Sequence, residues 1–270
     1  MVKYLDKNSL IYKQIRYLLE TETDFIANLG HSTFLIYFNG IKILTDPFLS
    51  LSLFGIPRQQ DCLHPSLLPE IDYLLITHAH YDHLDLKTLK HINRDAKVIL
   101  PEKCKRIVDH LGFIDVLELE NYKSYQDDKI FITSLSVKHN KGRPPFYLNT
   151  GLNSYLFRID GLNFYFLGDS AYFPELKEYG KRFDIDIAFL PIGGYRPRIL
   201  LKKFHMAPWE AVQAFKDLKA KCMIPIHFNT FHVIPPFLKL EKSVETITEE
   251  IKKEHLEQSL NLILPNHCFF

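Results

Sequence analysis

Cysteine is scarce in this chain, and its spacing excludes more than its number. The four, Cys62, Cys104, Cys222 and Cys268, form no C-x-x-C pair, which argues against both a disulfide framework and a cysteine-built zinc site. Free thiols in a reducing cytosol are the expected state, which makes a cytoplasmic location the expectation. Charge of one sign is also missing. With 33 basic and 32 acidic residues the net charge is +1, so no global field draws the chain to nucleic acid or to an anionic membrane. No apolar run reaches the roughly 20 residues of a membrane-spanning helix. Residues 1–20 lack the charged, then apolar, then small order of a signal peptide. Low-complexity tracts and interdomain linkers are absent too. Residues 1–270 therefore read as one domain, and a hydrophobic content of 46% is enough for a sizeable core.

What is abundant is histidine in one place. His78, His80, Asp82 and His83 put four potential metal ligands within six residues. The apolar stretch 71–76 precedes them and reads as a short buried strand. A helix is expected over 86–92, so the ligands fall on a loop at a strand end, where a rigid scaffold presents side chains. Imidazole and carboxylate donors suit zinc, and less specifically manganese or iron. The cluster contains no cysteine, which speaks against a closed structural finger.

Other strand ends repeat the theme. Strands are expected over 129–137, running into His139, over 162–167, ending at Gly168-Asp169, and over 223–226, ending at His227. Hairpins are expected at Asn39-Gly40, joining 27–38 to 41–44, and at Asp160-Gly161, joining 154–159 to 162–167. A buried strand over 186–191 leads into Gly193-Gly194-Tyr195-Arg196. Helices are expected over about 9–20, over 101–111 with proline at its first position, over 208–219 and over 243–257. A turn is expected over 124–128 and a last strand over 260–264. The N-terminal helix is basic and amphipathic. Packing on the body is its expected role, with a contact to a membrane surface as the minority reading. The irregular stretch 49–68 is long enough to be a binding loop, and an apolar one.

The run His-x-His-x-Asp-His resembles the signature of the metallo-β-lactamase fold. Asp82 next to His83 resembles its two-metal hydrolases. His80 stands where the flavodiiron members carry glutamate, which argues against an iron redox centre. The resemblance is nearest to the branch of N-acyl-phosphatidylethanolamine-hydrolysing phospholipase D and L-ascorbate-6-phosphate lactonase. It rests on Gly30-His31-Ser32-Thr33, Thr45-Asp46-Pro47, His139 with Arg143, Gly168-Asp169, residues 191–198, His205, and Ile226-His227 with Thr230-Phe231. It implies an α/β, four-layer αββα sandwich holding two zinc ions, with manganese or iron as substitutes. His78, His80 and His139 would hold one ion and Asp82, His83 and His227 the other, with Asp169 bridging. Asp46 and His31 would orient ligands from behind. Asp82, Asp169 and His205 are the catalytic candidates, and Tyr195, Arg196 and Arg143 the substrate-binding ones. For His205 and for Asp85, capping the helix that follows is the competing role.

Tyr195, Arg196, Arg198, Lys202, Lys203 and His205 make one locally basic segment, and arginine forks match phosphate oxygens. The expected function is therefore a di-zinc phosphodiesterase of phospholipase D type, with a metal-bridging hydroxide attacking phosphorus. A small-molecule or lipid phosphodiester is the expected partner, with 51–56, Phe231, Val233, Ile234, Phe237 and Leu238 as candidate lipid-groove residues. Nucleic acid is not expected, because no RNA-binding segment is appended. The alternatives are a lactonase or other ester hydrolase on the same site, and a non-catalytic metal sensor or scaffold. The sequence departs from the branch at Asn153-Ser154, where a tryptophan-glycine pair is expected. That departure bears on acyl-chain recognition and not on the metals.

Overall fold

The strand Thr33–Phe38 shows how the chain is layered. Side chains along a strand alternate between faces. Leu35 and Tyr37 enter one apolar cluster, while Phe34 and Ile36 enter another. Leu74 and Val98 side with the first, and Tyr73, Leu75 and Ile99 with the second. A strand buried on both faces needs a layer on each side, which explains its near-continuous apolar text. The computed structural model describes residues 2–231 and 241–270.

Two sheets meet on the second cluster. The first has seven strands, in the order Asp115–Leu119, Lys97–Pro101, Tyr73–Leu75, Ile41–Thr45, Thr33–Phe38, Phe25–Gly30 and His267–Phe269. The second has six, in the order Ser124–Gln126, Phe131–Leu135, Ser154–Ile159, Leu162–Phe166, Ile187–Pro191 and Cys222–Ile226. Aromatic rings interlock between them: Phe34 meets Phe189 edge-on at 5.2 Å and Phe38 meets Phe164 at 5.3 Å. Helix Leu10–Glu20 covers the outer face of the first sheet through Ile11, Ile15 and Leu18. Helices Glu175–Arg182, Pro208–Leu218 and Ser243–Lys253 cover the second through Leu176, Phe215 and Ile247. The result is the αββα order that the resemblance implies.

Several elements differ from the sequence reading. The expected strand 27–38 is two strands, Phe25–Gly30 and Thr33–Phe38. Gly30 and His31, with φ of 106° and 60°, reverse the chain between them. Pro101 ends a strand instead of opening a helix. It lies opposite Leu119 in a parallel pair, and the helix begins only at Lys105. Residues 124–126 are a strand, because Phe131–Leu135 is there to pair with them. Leu260 makes a single bridge to Met223, and the last strand is His267–Phe269, paired with Phe25–Gly30. The N-terminal helix packs as expected and leaves Leu10 and Tyr17 outward. Among the described residues no helix is long and apolar enough to cross a membrane. Val233, Ile234, Phe237 and Leu238, named above for a lipid groove, lie outside the described residues.

The inter-sheet layer makes a stability prediction. Phe189 is fully buried between Phe34 and Phe166. Phe189→Ala should cost about 3–5 kcal/mol in urea unfolding with the m-value unchanged. A loss under about 1 kcal/mol would contradict this packing.

Candidate metal centre

The site is made by strand ends that point one way. Ile41–Thr45 runs parallel to Tyr73–Leu75, and Leu162–Phe166 parallel to Ile187–Pro191, which runs parallel to Cys222–Ile226. Phe131–Leu135 shares that direction through two successive antiparallel pairings. Asp46, the 77–83 loop, His139, Asp169 and His227 therefore leave the sheets at a common rim. The rim is tight. A Cβ on Gly168 would stand 2.7 Å from Thr77 Oγ1, and one on Gly193 would stand 1.9 Å from the carbonyl oxygen of His227. His31, Asp46 and His227 all have positive φ, at 60°, 32° and 56°. Such conformations persist at functional sites when the surroundings over-determine them.

Two groups of donors face each other across Asp169. In one, His80 Nδ1 lies 3.0 Å from His78 Nε2 and 3.2 Å from His139 Nε2. Around a tetrahedral cation with bonds of about 2.0–2.1 Å, ring nitrogens are spaced about 3.3–3.4 Å apart. In the other group, Asp82 Oδ2 lies 3.7 Å from His227 Nε2 and 3.9 Å from His83 Nε2. Asp169 Oδ2 is 3.1 Å from His227 Nε2, 3.3 Å from His83 Nε2 and 3.8 Å from His139 Nε2.

The residues fit a bound cation. Among the described residues, His83 Nε2, His227 Nε2 and Asp169 Oδ1 are buried and find no hydrogen-bond partner. Each such atom costs about 1–3 kcal/mol if nothing satisfies it. A nitrogen-and-oxygen donor set without cysteine suits zinc, and also manganese or iron.

Neighbours fix which ring nitrogens are free. Asp46 Oδ2 accepts hydrogen bonds from Thr77 Oγ1 at 2.6 Å and His83 Nδ1 at 2.7 Å, and Oδ1 accepts one from the Thr77 amide at 2.7 Å. The Thr77 hydroxyl has given its only proton to Asp46, so at 2.9 Å it accepts from His78 Nδ1. His139 Nδ1 donates to the Phe204 carbonyl at 2.8 Å. In all three rings Nδ1 is held from behind and Nε2 faces the cluster, which is how an outer partner orients an imidazole for a cation. His31 plays the same part for a carboxylate. Its Nε2 reaches Asp82 Oδ2 at 3.2 Å and its Nδ1 reaches Thr230 Oγ1 at 3.0 Å.

Burial dominates the electrostatics. It pushes His31 and His139 down to about 3 and His205 down to about 4, so these rings are neutral at pH 7. Burial also opposes charge on Asp82 and Asp169, yet the surrounding imidazoles outweigh it and hold both well below the usual carboxylate range. His227 resists burial through Asp169 and is raised to about 9.

Other predicted residues land in varied places. A cavity of about 640 Å³ opens from the cluster, with His31, Asp82, His205, His227, Gln60 and Arg196 among its walls. His205 does not cap the next helix; Ala207 is that N-cap, completed by Glu210. Asp85 does cap its helix, accepting from the Lys87 amide. The expectations of substrate contact at Arg143 and Tyr195, and of phosphate contact at Arg198 in the basic segment, are corrected. Arg143 is buried beneath the ligand loop, where Nη1 donates to the carbonyls of Ala79 and Leu84 and the guanidinium lies 3.7 Å from the Tyr81 ring centre. Arg198 is paired with Glu210. Tyr195 is buried against Trp209, away from the cavity walls. The sequence reading missed Thr77, although it adjoins the histidine run. It also missed Glu241, whose carboxylate accepts from the amides of Gly194 and Arg196. Nothing in the text near residue 241 signals a partner so far away.

Residues 42–228 match the family described as beta-lactamase superfamily domain. A UPF0173 metal-dependent hydrolase from an Exiguobacterium strain is 30% identical over 244 residues, 89% of this chain and 97% of its own length. The N-acyl-phosphatidylethanolamine-hydrolyzing phospholipase D 1 of Caenorhabditis elegans is 31% identical over 77% of this chain and 64% of its own. Among solved structures, Igni18, a metallo hydrolase from Ignicoccus hospitalis, superposes with a TM-score of 0.69 at 21% identity, covering 91% of this chain and 97% of that one. That likeness shows the fold.

Among the described residues Asp46 makes its hydrogen bonds to the cluster through His83 and, by way of Thr77, to His78, which makes it a probe of ring orientation. Asp46→Ala should weaken cation binding about 10–100-fold in a calorimetric titration. Unchanged affinity would mean that the ring orientation is set elsewhere.

Proposed function

The chain belongs to the metallo-β-lactamase superfamily and, within it, to the UPF0173 metal-dependent hydrolases, and from that premise we propose that it is a two-metal phosphodiesterase. The observation that supports this most is Asp169, a buried carboxylate whose Oδ2 lies within 4 Å of His83, His227 and His139 and whose Oδ1 is left unbonded among the described residues. In this reading His78, His80 and His139 hold one cation and Asp82, His83 and His227 the other, with Asp169 shared. A zinc pair, or manganese or iron in its place, would supply a nucleophile from water at neutral pH and draw charge from the phosphoryl oxygens.

The chain's own groups do the rest. Asp82 and Asp169 stay anionic and balance the cations. His31 holds Asp82 from behind. His205 is neutral, so at the cavity wall it donates an N–H hydrogen bond to a substrate oxygen instead of delivering a proton. Such a donor counts most where charge develops in the transition state. Arg196, on the wall and exposed, offers a fork to the phosphate. Leu201, Phe228 and Phe231 give the cavity an apolar side for the alcohol portion. The 31% identity to a phospholipase D supports a diester substrate.

One observation favours hydrolysis of a lactone or other carboxylic ester as the second reading. With Arg143 and Arg198 engaged elsewhere, Arg196 is the one guanidinium on the described cavity wall, and a neutral ester needs none. The two readings separate by assay. Zinc-loaded protein should hydrolyse bis-p-nitrophenyl phosphate faster than a simple lactone, and Asp169→Asn should lose about 10²–10³-fold in turnover together with bound metal. Brisk lactone turnover without diester turnover would select the second reading. Full activity in Asp169→Asn would refute the bridging role.

A further inference from the structure

His205 faces the cavity, and among the described residues no side chain hydrogen-bonds its ring. Its Nδ1 is buried, 3.8 Å from Asp169 Oδ2. Its ring centre is 5.0 Å from that of His139 and 5.4 Å from that of His227. Below it lies Gly194, where a Cβ would come 3.0 Å from Nδ1. A ring without a side-chain anchor is aimed by its backbone, and the backbone here is bound on every side. The His205 amide donates to Leu201 O at 2.9 Å, and the Met206 amide to Ser170 O at 2.9 Å, next to Asp169. The His205 carbonyl accepts from Arg198 Nη1 at 2.7 Å. The Ala207 amide donates to Glu210 Oε2 at 2.8 Å. Arg198 Nη2 donates to Glu210 Oε1 and closes the ring.

We propose that Arg198 and Glu210 are positioning residues: their ion pair clamps the 204–207 turn and so aims His205 at the substrate. The proposal rests on the reading of His205, given above, as a cavity-wall group that meets the substrate. Three features set this clamp apart from an ordinary helix cap. A cap needs only the Glu210-to-Ala207 bond, whereas Arg198 adds a fork that grips the His205 carbonyl and the glutamate together. The same turn supplies the Phe204 carbonyl that fixes His139, so one clamp sets two histidines on adjoining walls. Arg198 also looks from the sequence like a phosphate ligand beside Arg196, and the structure instead turns it toward the protein. Lysine could pair with Glu210 but could not span both acceptors as a fork does.

The test is a double-mutant cycle on the metal-loaded enzyme with bis-p-nitrophenyl phosphate, run beside hydrogen exchange on the same proteins. Arg198→Ala should lower kcat about 10–100-fold with KM within about twofold, since a donor acting in the transition state is misaimed. In a His205→Ala background the same change should lower kcat by less than about twofold. Arg198→Lys should not rescue. Glu210→Gln, which keeps an acceptor for the Ala207 amide but loses the charge, should follow Arg198→Ala in direction. Without any turnover measurement, exchange of the Met206 and Ala207 amides should speed up about tenfold or more in Arg198→Ala. Additive losses in the cycle, rescue by lysine, or unchanged exchange would each overturn the clamp. If the native protein cleaves no ester, the functional reading fails, and the exchange measurement still decides whether the clamp exists.

Discussion

A buried carboxylate with too few hydrogen bonds is the constraint on which this molecule turns. Asp46 and Asp169 lie out of solvent at the meeting of two sheets. Asp46 is satisfied by protein groups alone, through Thr77 and His83. Asp169 is not, and among the described residues one of its oxygens has no donor. An anion taken out of water must be compensated or it destabilises the fold by several kcal/mol. In the proposed reading, the difference between the two aspartates separates a group that orients from a group that binds. Burial meanwhile keeps the His139 ring beside Asp169 uncharged, so that its Nε2 retains a lone pair to give.

The sheets make that concentration of polar groups tolerable. A layer of interlocked aromatic rings fixes the spacing between them. Strands that share a direction deliver their following residues to one rim, and close backbone contacts at Gly168 and Gly193 leave the rim no slack. Positive φ at His31, Asp46 and His227 is strain that only a rigid frame supports. The frame is common to many chemistries, and the loops that line the cavity decide among them. Here those loops are 59–60, 193–201 and 227–231, and they adjoin the metal side of the site directly.

Much of this was legible in the sequence, for identifiable reasons. Ligand residues announce themselves when they are close in the chain, as His78, His80, Asp82 and His83 are. Short continuous apolar runs such as 71–76 and 186–191 gave the buried strands, because a strand covered on both faces carries no polar alternation. Arginines were the weak point. Arg143 and Arg198 carry the same text as a phosphate ligand, and what decides their role is a backbone carbonyl or a glutamate supplied by the fold. Glu241 was invisible because its partners are amides 45 and 47 positions away. Pro101 was misread for a related reason: a proline that ends a strand and one that opens a helix differ only in what lies alongside.

The central claim is that one buried carboxylate is shared by two cation cages. Anomalous diffraction from a crystal grown with zinc, with data collected on both sides of the zinc absorption edge, addresses it most directly. Two peaks should flank Asp169, about 3.5–4 Å apart, one within bonding reach of His78, His80 and His139 and the other within reach of Asp82, His83 and His227. A single peak, or a pair that leaves Asp169 outside bonding distance of either ion, would contradict the account.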